Sequence, residues 1–301
     1  MRPTPCRSHQ FPLVLVLGYV VFPGVLRAGS TFTDCADCPQ MVVVPPGSFE
    51  MGSPPGEAGE ESDELPQRHV TIAHSFAVGA NEITRAQFGK FVGATGYDTG
   101  NECQDYESGA WHARSGATWR NPGFSQTDRE PVVCVSWIDA KAFVQWLSRE
   151  TGEEYRLLSE AEWEYVARAG NLWRNGIGHD RANYGTDKCC GRKQEGRDLW
   201  DYTAPVGSFS PDSLGLYDIL GNVWEWVEDC YSNSYRGAAT DARARTDHCS
   251  SADKRVLRGG SYGDGPELLH PAYRLRGGTG GRYVTLGFRV ARSLRRNAVV
   301  K

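Results

Sequence analysis

The chain has 301 residues, of which 40% are apolar and 23% charged, with a formal net charge of −4 at neutral pH. That acid balance argues against a nucleic-acid or anionic-membrane partner, and no interior apolar run approaches the ~20 residues of a membrane span. Nine Trp and 35 Gly beside three Met point to a loop-rich fold whose aromatics anchor turns, rather than to a helix bundle.

At the N-terminus, Arg2 and Arg7 precede an apolar stretch from Phe11 to Leu26, and Arg27-Ala28-Gly29-Ser30 follows it. A basic start, an apolar centre and a small-residue exit read as a secretory signal over residues 1–28, cut near Ala28, with an uncleaved anchor as the alternative. No membrane insertion beyond that segment is expected. Its loss removes three arginines and no acid, so the formal charge moves from −4 to −7. Export to the periplasm or the cell exterior makes disulfides the simplest use of the eight cysteines that remain. Spacing alone does not fix connectivity. Local staples pair Cys35 with Cys38, Cys103 with Cys134 and Cys230 with Cys249. A direct bond between the neighbours Cys189 and Cys190 would be strained, so pairing of these two elsewhere stays open. A zinc reading of Cys35-Ala-Asp-Cys38 lacks a second pair at zinc spacing.

MVVVPPGSFEMGS (41–53) reads as strand, Pro-Pro-Gly turn and strand, followed by an acidic Pro/Gly loop over 54–67. HVTIAHSFAVG (69–79) returns to strand. Three helices then carry start signals. Thr84 and Gln87 form a capping box ahead of the first. Ser136 caps the second, where Ala140, Phe143, Val144 and Leu147 make an apolar stripe that Gly152 stops. Ser159 and Glu162 open the third, which Gly170 closes. Beyond it the chain reads as loops and short strands such as RVLRGGSY (255–262) and LGFRVAR (286–292), with RGGTGGR (276–282) as a surface loop. One domain from 38 to 294 results, with a basic tail, 295–301, outside it.

Within YDILGNVWEWVED (217–229), strand alternation puts Trp224 and Trp226 on one face and Glu225 on the other. A carboxylate between two large apolar side chains is aimed at something positive. Four stretches, VPPGSFEMGS, YRLLSEAEWEYVARAG, GLYDILGNVWEWVED and RVLRGGSY with LGFRVAR, in this order across nearly the whole mature chain, resemble the formylglycine-generating enzyme family, or sulfatase-modifying factors. The resemblance implies a single irregular α+β domain related to C-type lectins, with about three helices and short strands. It also implies structural calcium, held in one loop by Asp218, the Gly221 and Val223 carbonyls and Glu225. A second ion falls to Asn183, the Tyr184 carbonyl, Asp198 and the Trp200 carbonyl. Hard oxygen donors in a tight turn suit that ion.

The family's reaction oxidises a substrate cysteine with oxygen at a Cu(I) held by two thiolates, three and eight residues beyond the Ser of its Gly-Gly-Ser motif. Ser261 is present here, but those positions are Asp264 and Leu269, and no cysteine follows Cys249. Soft thiolates select Cu(I), so no copper is expected. His270, the tail's one histidine, could join Asp264 and Glu267, but a facial iron triad wants two. In this family the tail floors a substrate groove, making Ser261, Tyr262, Asp264, Leu269, His270 and Arg274 the candidate contacts. The expected partner is a peptide or protein, bound by a copper-site-lacking binding or maturation module. An oxidase acting through another site and a purely structural envelope domain are the alternatives.

Overall fold

A computed structural model describes residues 27–57, 59–107, 109–171, 176–185, 197–247, 249 and 254–295. Residues 1–26 of the expected signal, Cys189, Cys190 and all but the first residue of the expected basic tail lie outside the described residues.

The chain enters through β1 (Thr31–Phe32) and β2 (Met41–Val44), turns through Pro45-Pro46, and forms the hairpin β3 (Gly47–Met51) and β4 (Arg68–Ile72). β5 (Phe76–Gly79) leads to α1 (Arg85–Thr95), after which β6 (Glu102–Glu107) and β7 (Ala110–Ser115) pair with each other. α2 (Trp137–Thr151), β8 (Tyr155–Leu157) and α3 (Glu160–Gly170) follow in close succession. A long irregular stretch leads to β9 (Trp224–Cys230) and β10 (Lys254–Arg258), then β11 (Leu275–Gly278), β12 (Leu286–Gly287) and β13 (Val290–Ser293).

Two sheets organise the molecule. The larger runs β1-β2-β5-β13-β8, all antiparallel, so the last strand of the chain is inserted between two early ones. The smaller runs β11-β10-β9-β12, with β12 parallel to β9. One core gathers Phe88 and Phe91 of α1, Phe143 of α2, Phe288, Trp224 and Trp226; a second packs Trp163 and Val166 of α3 against Val42, Val78, Ile219 and Leu220.

Each helix begins at the cap expected for it, Thr84, Ser136 and Ser159, and each cap forms a capping box, Thr84–Gln87, Ser136–Asp139 and Ser159–Glu162, the second of which the structure adds. In each, a hydroxyl and an N3 side chain satisfy two amides that the first turn leaves unpaired. Gly152 adopts the left-handed conformation that ends α2, but Gly170 is the last helical residue of α3 and Asn171 takes that conformation at φ 60°. The 69–79 stretch is two strands rather than one, because β4 pairs with β3 while β5 joins the main sheet.

The 276–282 segment is not wholly a surface loop. Residues 276–278 complete β11, and a Cβ at Gly277 would lie 2.5 Å from the Trp226 ring. Glycine lets that strand close over the tryptophan. The β6–β7 hairpin carried no sequence signal: its strands are mostly polar and exposed or half-exposed. Cys35–Cys38, Cys103–Cys134 and Cys230–Cys249 are bonded, with Cα separations of 5.0, 5.5 and 6.1 Å.

Candidate functional site

A cavity of about 290 Å³ opens between β7, β9, β11 and the tail that follows β10. Trp111, Trp224, Tyr273 and Tyr283 give it aromatic walls, Leu275 and Arg276 stand at its edge, and Ser261 and Asp264 supply polar groups. Trp111 is 39% exposed and Leu275 36%, and these are two of the four exposed large apolar side chains among the described residues. Trp111 is braced edge-on by Tyr106 and Tyr283, at centroid distances of 5.3 and 5.0 Å. A half-exposed tryptophan held by rings is a low-entropy anchor for a ligand.

Asp264 is buried and its Oδ2 accepts hydrogen bonds from Trp224 Nε1 at 2.8 Å and from the Ser261 hydroxyl. Burial pushes its carboxyl up to about 6, against the two hydrogen bonds, which favour the charged form. The site therefore offers an ordered acid at the base of an aromatic cavity.

The other tail candidates do not reach the cavity. Leu269 is buried in the α3-side core against Gly260. Tyr262 is buried and turns its ring to Phe124 and Tyr202. Arg274 is buried in an ion pair with Glu160, 2.6 Å from Nε to Oε1, and also donates to the Asp63 and Ser232 carbonyls. A ligand contact for these three is thereby corrected to a structural role, because each is enclosed by its own neighbours.

His270 lies behind the floor, with Nε2 3.7 Å from Glu64 Oε1. Neither atom has a hydrogen-bond partner. Burial pushes Glu64 up to about 7 and His270 down to about 4, so both favour their neutral forms. Trp111, Tyr273 and Tyr283 were not read from the sequence. The alternation of Tyr283 and Thr285 was a usable signal for one wall, whereas Trp111 sits in the hairpin that had none.

The positive group facing Glu225 in this structure is Arg289. Its Nε and Nη2 lie 2.9 Å from Glu225 Oε1, while Trp163 Nε1 donates to Oε2 at 2.8 Å. Trp226, on the opposite face, donates to the Val135 carbonyl. Nearby, Glu82 is fully buried with Oε2 unpartnered. Burial and the neighbouring Asp218 push its carboxyl well up, and burial pushes Asp218 to about 6. Three buried acids thus share one guanidinium. The loop between them is sharply turned, with positive φ at Asp218, Gly221 and Asn222. A Cβ at Gly221 would lie 2.4 Å from the Asn183 carbonyl oxygen.

That approach brings the two loops assigned to calcium together. The fully buried Asp198 accepts from the Tyr184 amide at 3.2 Å, the Trp200 amide at 3.4 Å and His179 Nδ1 at 3.0 Å, and Asn183 Oδ1 is buried without a hydrogen-bond partner. Oxygen donors with unspent capacity fit a hard cation at this second loop. Beside the first loop Glu82 Oε2 has that character, whereas Asp218 Oδ2 accepts from the Gly207 amide and the Glu225 oxygens are already engaged. No three His, Cys, Asp or Glu side chains among the described residues converge into a metal-holding group, so backbone carbonyls would have to complete either shell. At the two tail positions Asp264 and Leu269 offer one hard oxygen and one hydrocarbon, which do not fit the soft thiolate pair that selects Cu(I).

A larger cavity, of about 550 Å³, lies between the β4–β5 turn and the start of α3. Its charged lining residues are already paired, Arg156 with Glu162, Glu228 with Lys141 and Arg243 with Asp241. The smaller cavity combines aromatic anchors with polar groups, and is the stronger candidate.

A family model described as the sulfatase-modifying factor enzyme 1-like domain matches residues 27–294. The chain is 34% identical over 266 residues to a formylglycine-generating enzyme of Thermomonospora curvata, spanning 77% of this chain and 84% of that protein. Among solved structures it is similar to PvdO from Pseudomonas aeruginosa, with a TM-score of 0.76 and 36% identity, covering 89% of this chain and 99% of the other. Treponema denticola variable protein 1 shares the fold at a TM-score of 0.61 and 20% identity, over 87% of this chain and 98% of its own.

Proposed function

The chain belongs to the sulfatase-modifying factor family, and from that premise we propose that it is an exported binding or maturation module that captures a peptide or protein segment at the cavity beside Asp264. The observation that carries this reading is the state of the two positions where the family's thiolates stand. Asp264 is a hydrogen-bonded acid at the cavity base and Leu269 is buried core. The cavity offers a recognition surface of Trp111, Tyr273, Tyr283 and Arg276 beside that acid. A peptide segment places an apolar or aromatic side chain between those rings and directs a donor to Asp264. Export is supported by the three disulfides, which persist in oxidising compartments. No helix of the described residues is long and apolar enough to cross a membrane.

Structural calcium belongs to the same proposal, at Asn183, Tyr184, Asp198 and Trp200 and at Asp218, Gly221, Val223 and Glu225, where Glu225 would exchange part of its pairing with Arg289 for the ion. The ion's role there is charge compensation and loop anchoring, away from the cavity.

Two assays test the reading. A peptide library panned on the protein is expected to yield ligands whose capture falls at least about tenfold in Trp111→Ala or Arg276→Ala, with the melting temperature of each variant measured alongside, because Trp111 packs on two rings and Arg276 donates to the Tyr231 hydroxyl. Incubation with a sulfatase-motif cysteine peptide and Cu(I) is expected to give no hydrazide-reactive aldehyde. Aldehyde formation would overturn the module reading in favour of an oxidase. Ligands captured equally by wild type and Trp111→Ala would remove the cavity from it.

A further inference from the structure

We propose that the Cys35–Cys38 disulfide is a thiol–disulfide exchange site for neutral or cationic thiols, remote from any use of the tail cavity. The two cysteines form a Cys-x-x-Cys pair on a turn, the Cys38 amide donating to the Cys35 carbonyl. Their surroundings are asymmetric. Cys35 is exposed, whereas Cys38 is 7% exposed and belongs to the aromatic core with Phe91, Phe143 and Leu147. Beside them lies a cavity of about 220 Å³ lined by both cysteines and by Asp37, Lys90, Trp146 and Glu150, sharing no residue with the tail cavity. An incoming thiol thus has an accessible sulfur to attack and a surface to rest on.

A purely structural staple is the competing explanation, and two observations weaken it. The bond closes a separation of three residues, against 31 for Cys103–Cys134, and a short loop removes little entropy from the unfolded chain. The segment is also held without it. Asp34 accepts from the Tyr155 hydroxyl at 2.5 Å and pairs with Arg292 at 3.1 Å, and β1 is already hydrogen-bonded to β2. Cys103 and Cys134, by contrast, are both buried at the base of the β6–β7 hairpin.

The exchange balances without another reactant. A substrate thiolate attacks Cys35 Sγ, the Cys35–Cys38 bond breaks, and the pair of electrons leaves on Cys38, which takes a proton from water. A second substrate thiolate then attacks the first substrate's sulfur in the mixed disulfide, releasing Cys35 as thiolate. Two electrons pass from the substrate pair, which becomes a disulfide, to the protein pair, which becomes a dithiol. The protein's own disulfide is the oxidant, for one turnover per chain. Attack rates follow access to the sulfur as well as thiolate content. Lys90 is ion-paired with Asp37, and Glu150 adds a second acid to the cavity lining. The rim is therefore acidic on balance and disfavours anionic thiols.

Oxidised full-length protein exposed to equal concentrations of cysteamine or glutathione, quenched at intervals, alkylated and mapped by mass spectrometry, tests this. Cys35 and Cys38 are expected to be labelled at least about tenfold faster than Cys103 and Cys134, and faster with cysteamine than with glutathione. In Cys38→Ser, cysteamine is expected to accumulate as a mixed disulfide on Cys35. The wild-type labelling order decides the matter even where that variant folds poorly. Labelling of Cys35 and Cys38 no faster than of Cys103 and Cys134 would overturn the proposal.

Discussion

Arg289 and Glu225 are both buried, and Arg289 also donates to the Gly79 and Tyr217 carbonyls. Removing the guanidinium strands a carboxylate in a region that already holds Glu82 and Asp218. Arg289→Met is therefore expected to cost about 3–5 kcal/mol in urea unfolding, and adding Glu225→Gln should restore part of it. A loss below about 1 kcal/mol for the single variant would show that the pair is not held as described. At Asp264 the test is pH. Burial raises its carboxyl from 3.8 to about 6, so the folded state binds the proton more tightly than the unfolded one. Stability from this group is fully present below the unfolded value and lost as pH rises through about 6. Asp264→Asn should remove a slope amounting to on the order of 3 kcal/mol between those limits. The check is the wild-type minus variant difference in urea midpoint from acid to neutral pH. A difference that is flat, or that grows in the opposite direction, would contradict the burial of a charged Asp264. That these two residues matter was visible in the motif; that Glu225 faces an arginine was not, since 64 positions separate it from Arg289.

The helices were the most legible elements, because a capping box and an apolar stripe are local facts that the tertiary structure only has to accept. Ser136 and Ser159 make the same box, but Ser159 also donates to the Ala242 carbonyl at 2.7 Å, tying α3 to a distant loop. Ser136→Ala is expected to cost about 1 kcal/mol and Ser159→Ala about 2. Equilibrium denaturation of the two variants measures the difference, and equal costs would show that the Ala242 bond contributes nothing. Strands were read less well. The 69–79 run shows continuous β-propensity, yet β4 and β5 serve different sheets, and only the partners decide where one ends. β11 was hidden by its glycines, which read as loop until Trp226 is seen to press on Gly277. β6 and β7 lacked an apolar face, so no periodicity betrayed them, and with them Trp111 was missed.

At the scale of the whole molecule, the irregular half of the chain is fastened by long-range ties rather than by regular elements. Asn183, Asn222, Ala204 and Glu82 form one hydrogen-bonded chain across it. Calcium bound there would stabilise the native state by mass action, so chelation is expected to lower the melting temperature by several degrees. Asp198→Asn should blunt that response, and elemental analysis should find calcium in the untreated protein. An unchanged melting temperature together with no calcium would remove the ion from the proposal. The sequence by itself determined the family, the α+β class and three helices with their start points, whereas the three disulfides were expected as local staples and are bonded in the structure. The sequence also determined that no thiol stands in the tail, because caps, motifs and residue identities are written locally. The tertiary structure alone decided which tail residues face the cavity. Ser261 and Asp264 do, whereas Tyr262, Leu269 and Arg274 turn inward to neighbours far away in the chain. It also decided that Arg289 is the charge facing Glu225, since burial and pairing are properties of the packed chain and not of spacing along it.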